Sequence, residues 1–269
     1  MKPIVQWPGG KTRLWSEIKK HIPNDYEVWV EPFVGAGSVL FNEQPKKAIV
    51  CDMNKDIINL HLVVKNSVFQ MLDVLSDFCD LSESIGGGRA FYQIRGMDRK
   101  DDFGEVSPVV KAARTIYLSK CSFNGLYRVN KKGQFNAPFN NRDNSREYIM
   151  PIPDILEVHN YLAGNDIDIK VQDFQVTMSE APDNSFVYID PPYIETYNRY
   201  TKDSFPIEQQ EILAKECRKL DDRGIKFLAS NMNHPKIREL YDGFEIEEIG
   251  NKHTIGSGST NVKEVLIHN

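Results

Sequence analysis

FVYIDPPY, residues 186–193, decides how the rest of the chain is read. The run Phe186–Ile189 has the unbroken apolar character of a fully buried strand. It stops at Asp190, and neither Pro191 nor Pro192 has an N–H to continue a ladder. The backbone is therefore fixed behind a strand-terminal acid, with the ring of Tyr193 placed just beyond. Upstream, VWVEPF (28–33) reads as a strand, and KAIVCDMN (47–54) as another ending at Asp52. Downstream, Pro206 opens a helix and GIKFLASN (224–231) forms the next strand. The tail from Asn251 reads as two strands around a Gly/Ser turn, an antiparallel edge. Strands alternating with helices predict an α/β fold, a largely parallel sheet covered on both faces.

The segment between the two halves has a different character. Val68, Met71, Leu72, Leu75 and Phe78 recur at helical spacing, and Gly86–Gly88 break the pattern. Ser107-Pro108 reads as an N-cap followed by proline at N1, opening a helix to about Cys121. RVNKKGQFNAPF (128–139) reads as a hairpin turning at Lys131, Lys132 and Gly133. The expected organisation is a catalytic domain from residues 1–84 and 151–269, interrupted by a small, mainly helical insert with a hairpin at 85–150.

The chain has 269 residues, room for one large α/β domain and an insert. No apolar run reaches the length of a membrane span, and the N-terminal stretch lacks the apolar core of a signal peptide. Four scattered cysteines and six histidines without ligand spacing give no reason to expect a metal, and fit a reduced, cytoplasmic setting. Net charge is −5, yet Lys111–Arg146 holds eight cations against Asp143. That segment is +7 and leaves −12 on the remainder. Its cations are interleaved with Phe123, Tyr127, Phe135 and Phe139, the mixture that pairs with phosphates and bases.

FVGAG (33–37) follows the first strand, so Gly35 and Gly37 let backbone approach a ligand at the carboxyl end of the sheet. Asp52 ends the next strand, where an acid can hold ribose hydroxyls. Position 40 is Leu rather than a third glycine, which disfavours a pyrophosphate and suits a nucleoside cofactor without phosphates, such as S-adenosylmethionine. WPGGK (7–11) sets the Trp7 ring and the Lys11 charge in one loop. For a planar exocyclic amine attacking a methyl sulfonium, Asp190 can accept one N–H and the Pro191 carbonyl the other. Pro192 helps fix that direction, and Tyr193 can stack on the ring.

These stretches, together with NGLYRVNKKGQFNAPF (124–139), SFPIEQQ (204–210) and LASN (228–231), resemble the Dam-type DNA adenine-N6 methyltransferases over nearly the whole chain. The resemblance implies a Rossmann-like methyltransferase sheet, S-adenosylmethionine as cofactor and double-stranded DNA as partner. It places Trp7, Lys11, Phe33, Asp52 and Asp190 on cofactor contacts. It places Asn124, Leu126 and Arg128, with Pro138 and Arg142, on DNA recognition, and Phe123 near the gap left by a flipped base. Lys131 and Lys132 at the hairpin tip are expected on phosphates. Gln6 stands where some members have a base-contacting lysine. Members without it use an arginine at the place of Arg142, and GATC is the expected target. A monomer in solution is expected, with room for more than one copy on DNA, in a bacterial or viral, nucleoid-associated setting.

Three other readings compete. Methylation of RNA adenine, cytosine N4 or protein glutamine is disfavoured by Asp190, because those groups more often carry Ser or Asn there. A nicotinamide oxidoreductase leaves DPPY unexplained. A DNA-binding module with a dead core has no need of Asp52, Asp190 and Tyr193.

Overall fold

The computed structural model describes residues 1–140, 144–193, 205–249 and 264–269. Its centre is a seven-stranded sheet in the order β3-β2-β1-β4-β5-β7-β6. The strands are β1 (Val28–Glu31), β2 (Lys47–Asp52), β3 (Asp166–Val171), β4 (Ser185–Ile189), β5 (Lys226–Met232), β6 (Glu245–Ile249) and β7 (Glu264–His268). Strands β1 to β5 pair in parallel, and β7 is antiparallel to both β5 and β6. Every residue of β1 and β4 is buried, as expected of the central pair in a covered parallel sheet.

The period-two alternation of side chains sorts the core into two layers. Trp29, Phe186, Tyr188 and Leu228 face one layer. It is built from α1 (Lys55–Asn66), α2 (Val68–Ile85), α3 (Gly87–Arg95), α4 (Pro108–Cys121) and α5 (Ile152–Gly164). Val28, Val30, Val187, Ile189, Phe227 and Ala229 face the other. That side is covered by α6 (Phe174–Ser179) and α7 (Ile207–Asp222). Helices α3 and α4, from the expected insert, share a continuous apolar cluster with the first layer, through Phe91, Ile94, Ile116 and Leu118.

Local chemistry explains the element boundaries. Ser107 accepts the Val110 N–H and Pro108 sits at N1, starting α4 where the sequence indicates. Asn54 accepts from the N–H groups of Asp56 and Ile57, starting α1 directly after β2. The antiparallel edge differs from expectation in one respect. The outer partner of β7 is Glu245–Ile249, upstream of the expected tail hairpin, whose first strand lies outside the described residues.

The sheet order reverses between β1 and β4. Chain order runs outward from β1 through β2 and β3 on one side, and from β4 through β5 on the other. Such a switch point leaves a crevice at the carboxyl ends of the strands. Glu31, Asp52, Asp190 and Met232 stand at those ends, so the motifs singled out in the sequence converge there.

Candidate active site

The glycine loop follows β1 without regular structure. Gly35 has φ +47° and Gly37 φ +76°, and a Cβ on Gly37 would lie 2.7 Å from the Phe41 ring. A side chain at Gly37 is thus excluded by both conformation and space. A Cβ on Gly35 would lie 3.1 Å from Trp7, so Trp7 of the PGG loop rests against the glycine loop. Asp52 holds this loop from the next strand, with Oδ2 accepting the Gly35 N–H at 3.0 Å and Oδ1 the Asn54 N–H at 2.8 Å. Burial raises the Asp52 pKa, and the backbone N–H groups of Asn54, Gly35 and Met53 oppose that shift.

His61 on α1 supports the loop from beneath, and no local pattern in the sequence points to it. Its Nε2 lies 2.8 Å from the Gly35 carbonyl. A carbonyl only accepts, so Nε2 carries the proton and Nδ1 keeps a lone pair. Burial lowers the pKa and holds the ring neutral.

At the end of β4, Asp190 is bound to two partners through one oxygen. Oδ1 lies 2.9 Å from Lys11 Nζ and accepts from Ser230 Oγ at 2.8 Å. The Ser230 hydroxyl has a single hydrogen, so Tyr188, 3.3 Å away, donates to Ser230 and the chain is directed toward Asp190. Lys11 also donates to the Gly9 carbonyl at 2.8 Å and lies 4.9 Å over the Tyr193 ring. The WPGGK loop is thereby tied to DPPY by a cation that is only 3% exposed. Burial raises the Asp190 pKa, and Lys11 and Ser230 pull it back.

The same crevice holds further acids. Glu31, buried at the end of β1, accepts from Trp29 Nε1 at 2.9 Å. Burial pushes its pKa up to about 8. Burial above all, then the charges of Asp190 and of the buried Glu264 at the start of β7, raise the pKa of Tyr193 and keep that phenol neutral. Asp52, Asp190 and Glu264 outnumber Lys11, so the carboxyl ends of these strands suit a ligand carrying positive charge. Phe33 stacks on Phe174 at 5.3 Å between ring centres, forming an apolar wall on the glycine-loop side.

A second surface adjoins this crevice. Trp7 packs on Tyr127 at 4.5 Å, and the Tyr127 hydroxyl donates to Asp56 at 2.6 Å. Gln6 fits against the NGL turn, where Asn124 and Gly125 have φ +54° and +64°. A Cβ on Gly125 would fall 1.6 Å from Gln6 Oε1. Phe123 and Leu126 are 47% and 40% exposed, unusual for large apolar side chains, and Asn124 and Pro138 are exposed beside them. The Phe123 N–H donates to the Pro138 carbonyl at 2.9 Å, which brings the turn and the hairpin strand together. Arg128 commits two of its five N–H groups to Asn136, through Nε at 2.7 Å and a terminal nitrogen at 3.0 Å. Lys131 and Lys132 are exposed in the turn that Asn130 closes with Gln134. Arg142 lies outside the described residues.

Three cations of the basic run are engaged within the protein. Arg114 is 6% exposed and pairs with Asp98 at 2.7 Å, while Asp98 also accepts the Phe135 N–H at 2.8 Å. It braces the hairpin from within. Arg146 pairs with Asp80 and Glu83, and Lys111 donates to the Gly104 carbonyl. A charge count cannot tell an inward cation from an outward one. Histidine spacing likewise hides one group among the described residues. His21, Glu247 and His268 bring ligand-type atoms within 4.8 Å of one another, with His268 paired to Leu228 near the start of β5, away from Asp190.

Fold and site together define a Rossmann-like enzyme whose crevice opens at the switch point of its sheet. Comparison with known proteins gives the family. The family model described as "D12 class N6 adenine-specific DNA methyltransferase" matches residues 7–255. Type II methyltransferase M1.LlaDCHI of Lactococcus lactis subsp. cremoris is 33% identical, covering 100% of this chain and 95% of its own. Type II methyltransferase M.MjaIII of Methanocaldococcus jannaschii is 35% identical over 95% of this chain and 93% of its own. DNA adenine methylase of Escherichia coli K12 is 30% identical over 98% and 92%. The chain belongs to the D12 class of N6 adenine-specific DNA methyltransferases.

Proposed function

We propose that this enzyme transfers a methyl group from S-adenosylmethionine to N6 of adenine within GATC in double-stranded DNA, acting on a base turned out of the helix. The observation that carries the chemistry is the asymmetry of Asp190. Lys11 and Ser230 both bind Oδ1, and among the described residues Oδ2 is left to accept a new N–H. An exocyclic amine has a lone pair delocalised into its ring. With Asp190 Oδ2 accepting one N–H and the Pro191 carbonyl the other, that lone pair is concentrated on nitrogen as positive charge develops there. The alkylated nitrogen then becomes acidic and releases its proton, so no strong base is needed beforehand.

S-adenosylmethionine supplies, when bound, a methyl group on a positively charged sulfur. The bends at Gly35 and Gly37 and the acid excess around Lys11 fit such a cation. Trp7, Lys11, Phe33, Asp52 and Asp190 would hold it.

An adenine N6 inside a duplex cannot reach a crevice at the carboxyl ends of the strands, so the base has to leave the stack. Tyr193 offers a face for it, and the exposed Phe123 a plug for the gap. Residues 85–150 form the recognition part. Asn124 belongs to the turn that presents Leu126 to the groove. Arg128, its fork aimed by Asn136, would read the guanine of the outer C·G pair, and Arg142 the first guanine. Leu126 and Pro138 suit the thymine methyl between them. The enzyme acts as a monomer in solution. The test is methylation of duplexes that differ at one base pair of GATC. Arg128→Ala should relax preference at the last pair and Arg142→Ala at the first. Methylation of a different word by the wild-type enzyme would overturn the assignment of GATC.

A further inference from the structure

Behind DPPY, on the opposite face of the sheet from Ser230, lies a pair of buried amides. Gln210, in the first turn of α7, donates from Nε2 to the Pro192 carbonyl at 3.0 Å. Its Oε1 accepts from Asn231 Nδ2 at 3.0 Å, and Asn231 Oδ1 accepts the Met232 N–H at 2.9 Å. Both side chains are completely buried. The polarity of this chain is forced from its two ends. A proline carbonyl can only accept, so Gln210 must present its NH2. Its oxygen then faces Asn231, which must donate, and whose own oxygen is left for a backbone N–H. Neither amide can turn over without setting like groups against each other.

From this we infer that Gln210, oriented by Asn231, is a positioning residue for methyl transfer, acting by holding the Pro192 carbonyl away from the substrate. The inference rests on the proposed role of Asp190 and Pro191. Successive carbonyls in an extended chain point in different directions. Anchoring that of Pro192 toward α7 therefore fixes the orientation of the preceding Pro191 carbonyl and of the Tyr193 ring that follows. The anchor is needed because Pro191 and Pro192 have no N–H of their own to engage the sheet. Burying two amides is unfavourable unless all their groups are paired, and here each end of each amide is used. Ser230 and Asn231 are adjacent on β5 and point to opposite faces, so one strand orients both Asp190 and the proline step beyond it.

The test uses Gln210→Glu, which keeps size and shape. Ionised, the introduced carboxylate would set an oxygen against the Pro192 carbonyl. Protonated, it can donate to that carbonyl while still accepting from Asn231. The ratio of variant to wild-type kcat should therefore rise at least tenfold as the pH falls from about 8.5 to 6, with KM for DNA and cofactor within threefold. Asn231→Asp, which would turn the Gln210 amide over, should lower kcat by a similar factor. A flat ratio across this pH range in folded Gln210→Glu, or full kcat in Gln210→Leu, would overturn the inference. Asp190→Ala is assayed in parallel. If it too retains full activity, the failure belongs to the proposed role of DPPY rather than to the amide pair.

Discussion

Lys11 Nζ lies 2.9 Å from Asp190 Oδ1, joining two loops 179 positions apart in the chain at the point where the sheet changes direction. Burial favours the protonated form of Asp190, while the Lys11 charge favours the ionised form that accepts an N–H. Removing the cation takes away the larger opposing influence. Lys11→Met should therefore move the acid limb of the kcat/KM profile to higher pH and lower turnover at pH 7 on the order of 10–100-fold. A pH–rate profile checks this, and an unmoved acid limb would separate Lys11 from the ionisation of Asp190.

Glu31 makes stability depend on pH in the opposite sense from an ordinary surface carboxylate. Burial carries its pKa from 4.5 to about 8, so the folded state binds the proton more tightly than the unfolded state. Its favourable contribution is full below the unfolded value and is lost as the pH rises through about 8. At ~1.4 kcal/mol per pH unit the loss is at most ~5 kcal/mol. Glu31→Gln can still accept from Trp29 and removes the titration. Urea unfolding should show the variant close to wild type at pH 5 and more stable at pH 9.

The contact of Gln6 with Gly125 links the segment that leads into WPGGK to the NGL turn. Gly125→Ala would meet Gln6 Oε1 at 1.6 Å in a left-handed conformation that itself disfavours a Cβ by ~1–2 kcal/mol. Specific DNA binding should fall at least tenfold, by the ~1.4 kcal/mol per factor of ten that links energy to affinity. Gln6→Ala in the same chain should restore part of it, because the nearest clash is gone. Titration of labelled duplex with the single and double variants measures that coupling.

Lys131 and Arg114 are neighbours in a charge count and opposites in structure. Lys131→Ala with Lys132→Ala should weaken binding to all sequences alike and flatten the salt dependence by about one for each phosphate no longer neutralised. Arg114→Ala should leave that slope unchanged. It should instead destabilise the protein by roughly 1.5–3 kcal/mol, since it removes one of the two guanidinium partners of the buried Asp98, Arg99 being the other. Salt titrations and thermal melts distinguish the two.

The contrast shows what a sequence discloses. FVGAG, Asp52 and DPPY are legible because each stands at the end of a strand, and strand ends can be read from local apolar runs. The Ser107-Pro108 start of α4 is legible for the same local reason. Ser230, Gln210 and Asn231 lie within recognised motifs, yet their roles depend on partners 40, 18 and 21 positions away. Period two can place Ser230 and Asn231 on opposite faces of β5, but only the strand order shows what each face meets. His61 and Glu31 resemble ordinary core positions until the loops above them are located. Strands β3 and β6 are hard to read because both are polar edge strands with few buried residues.

The most direct measurement is the product formed from duplex DNA by the purified enzyme and by Asp190→Ala, with nucleosides resolved by mass spectrometry. The wild-type enzyme should yield N6-methyldeoxyadenosine, and Asp190→Ala should form it ~10² or more slowly while keeping its fold. N4-methyldeoxycytidine as the product, or near wild-type turnover by Asp190→Ala, would contradict the mechanism.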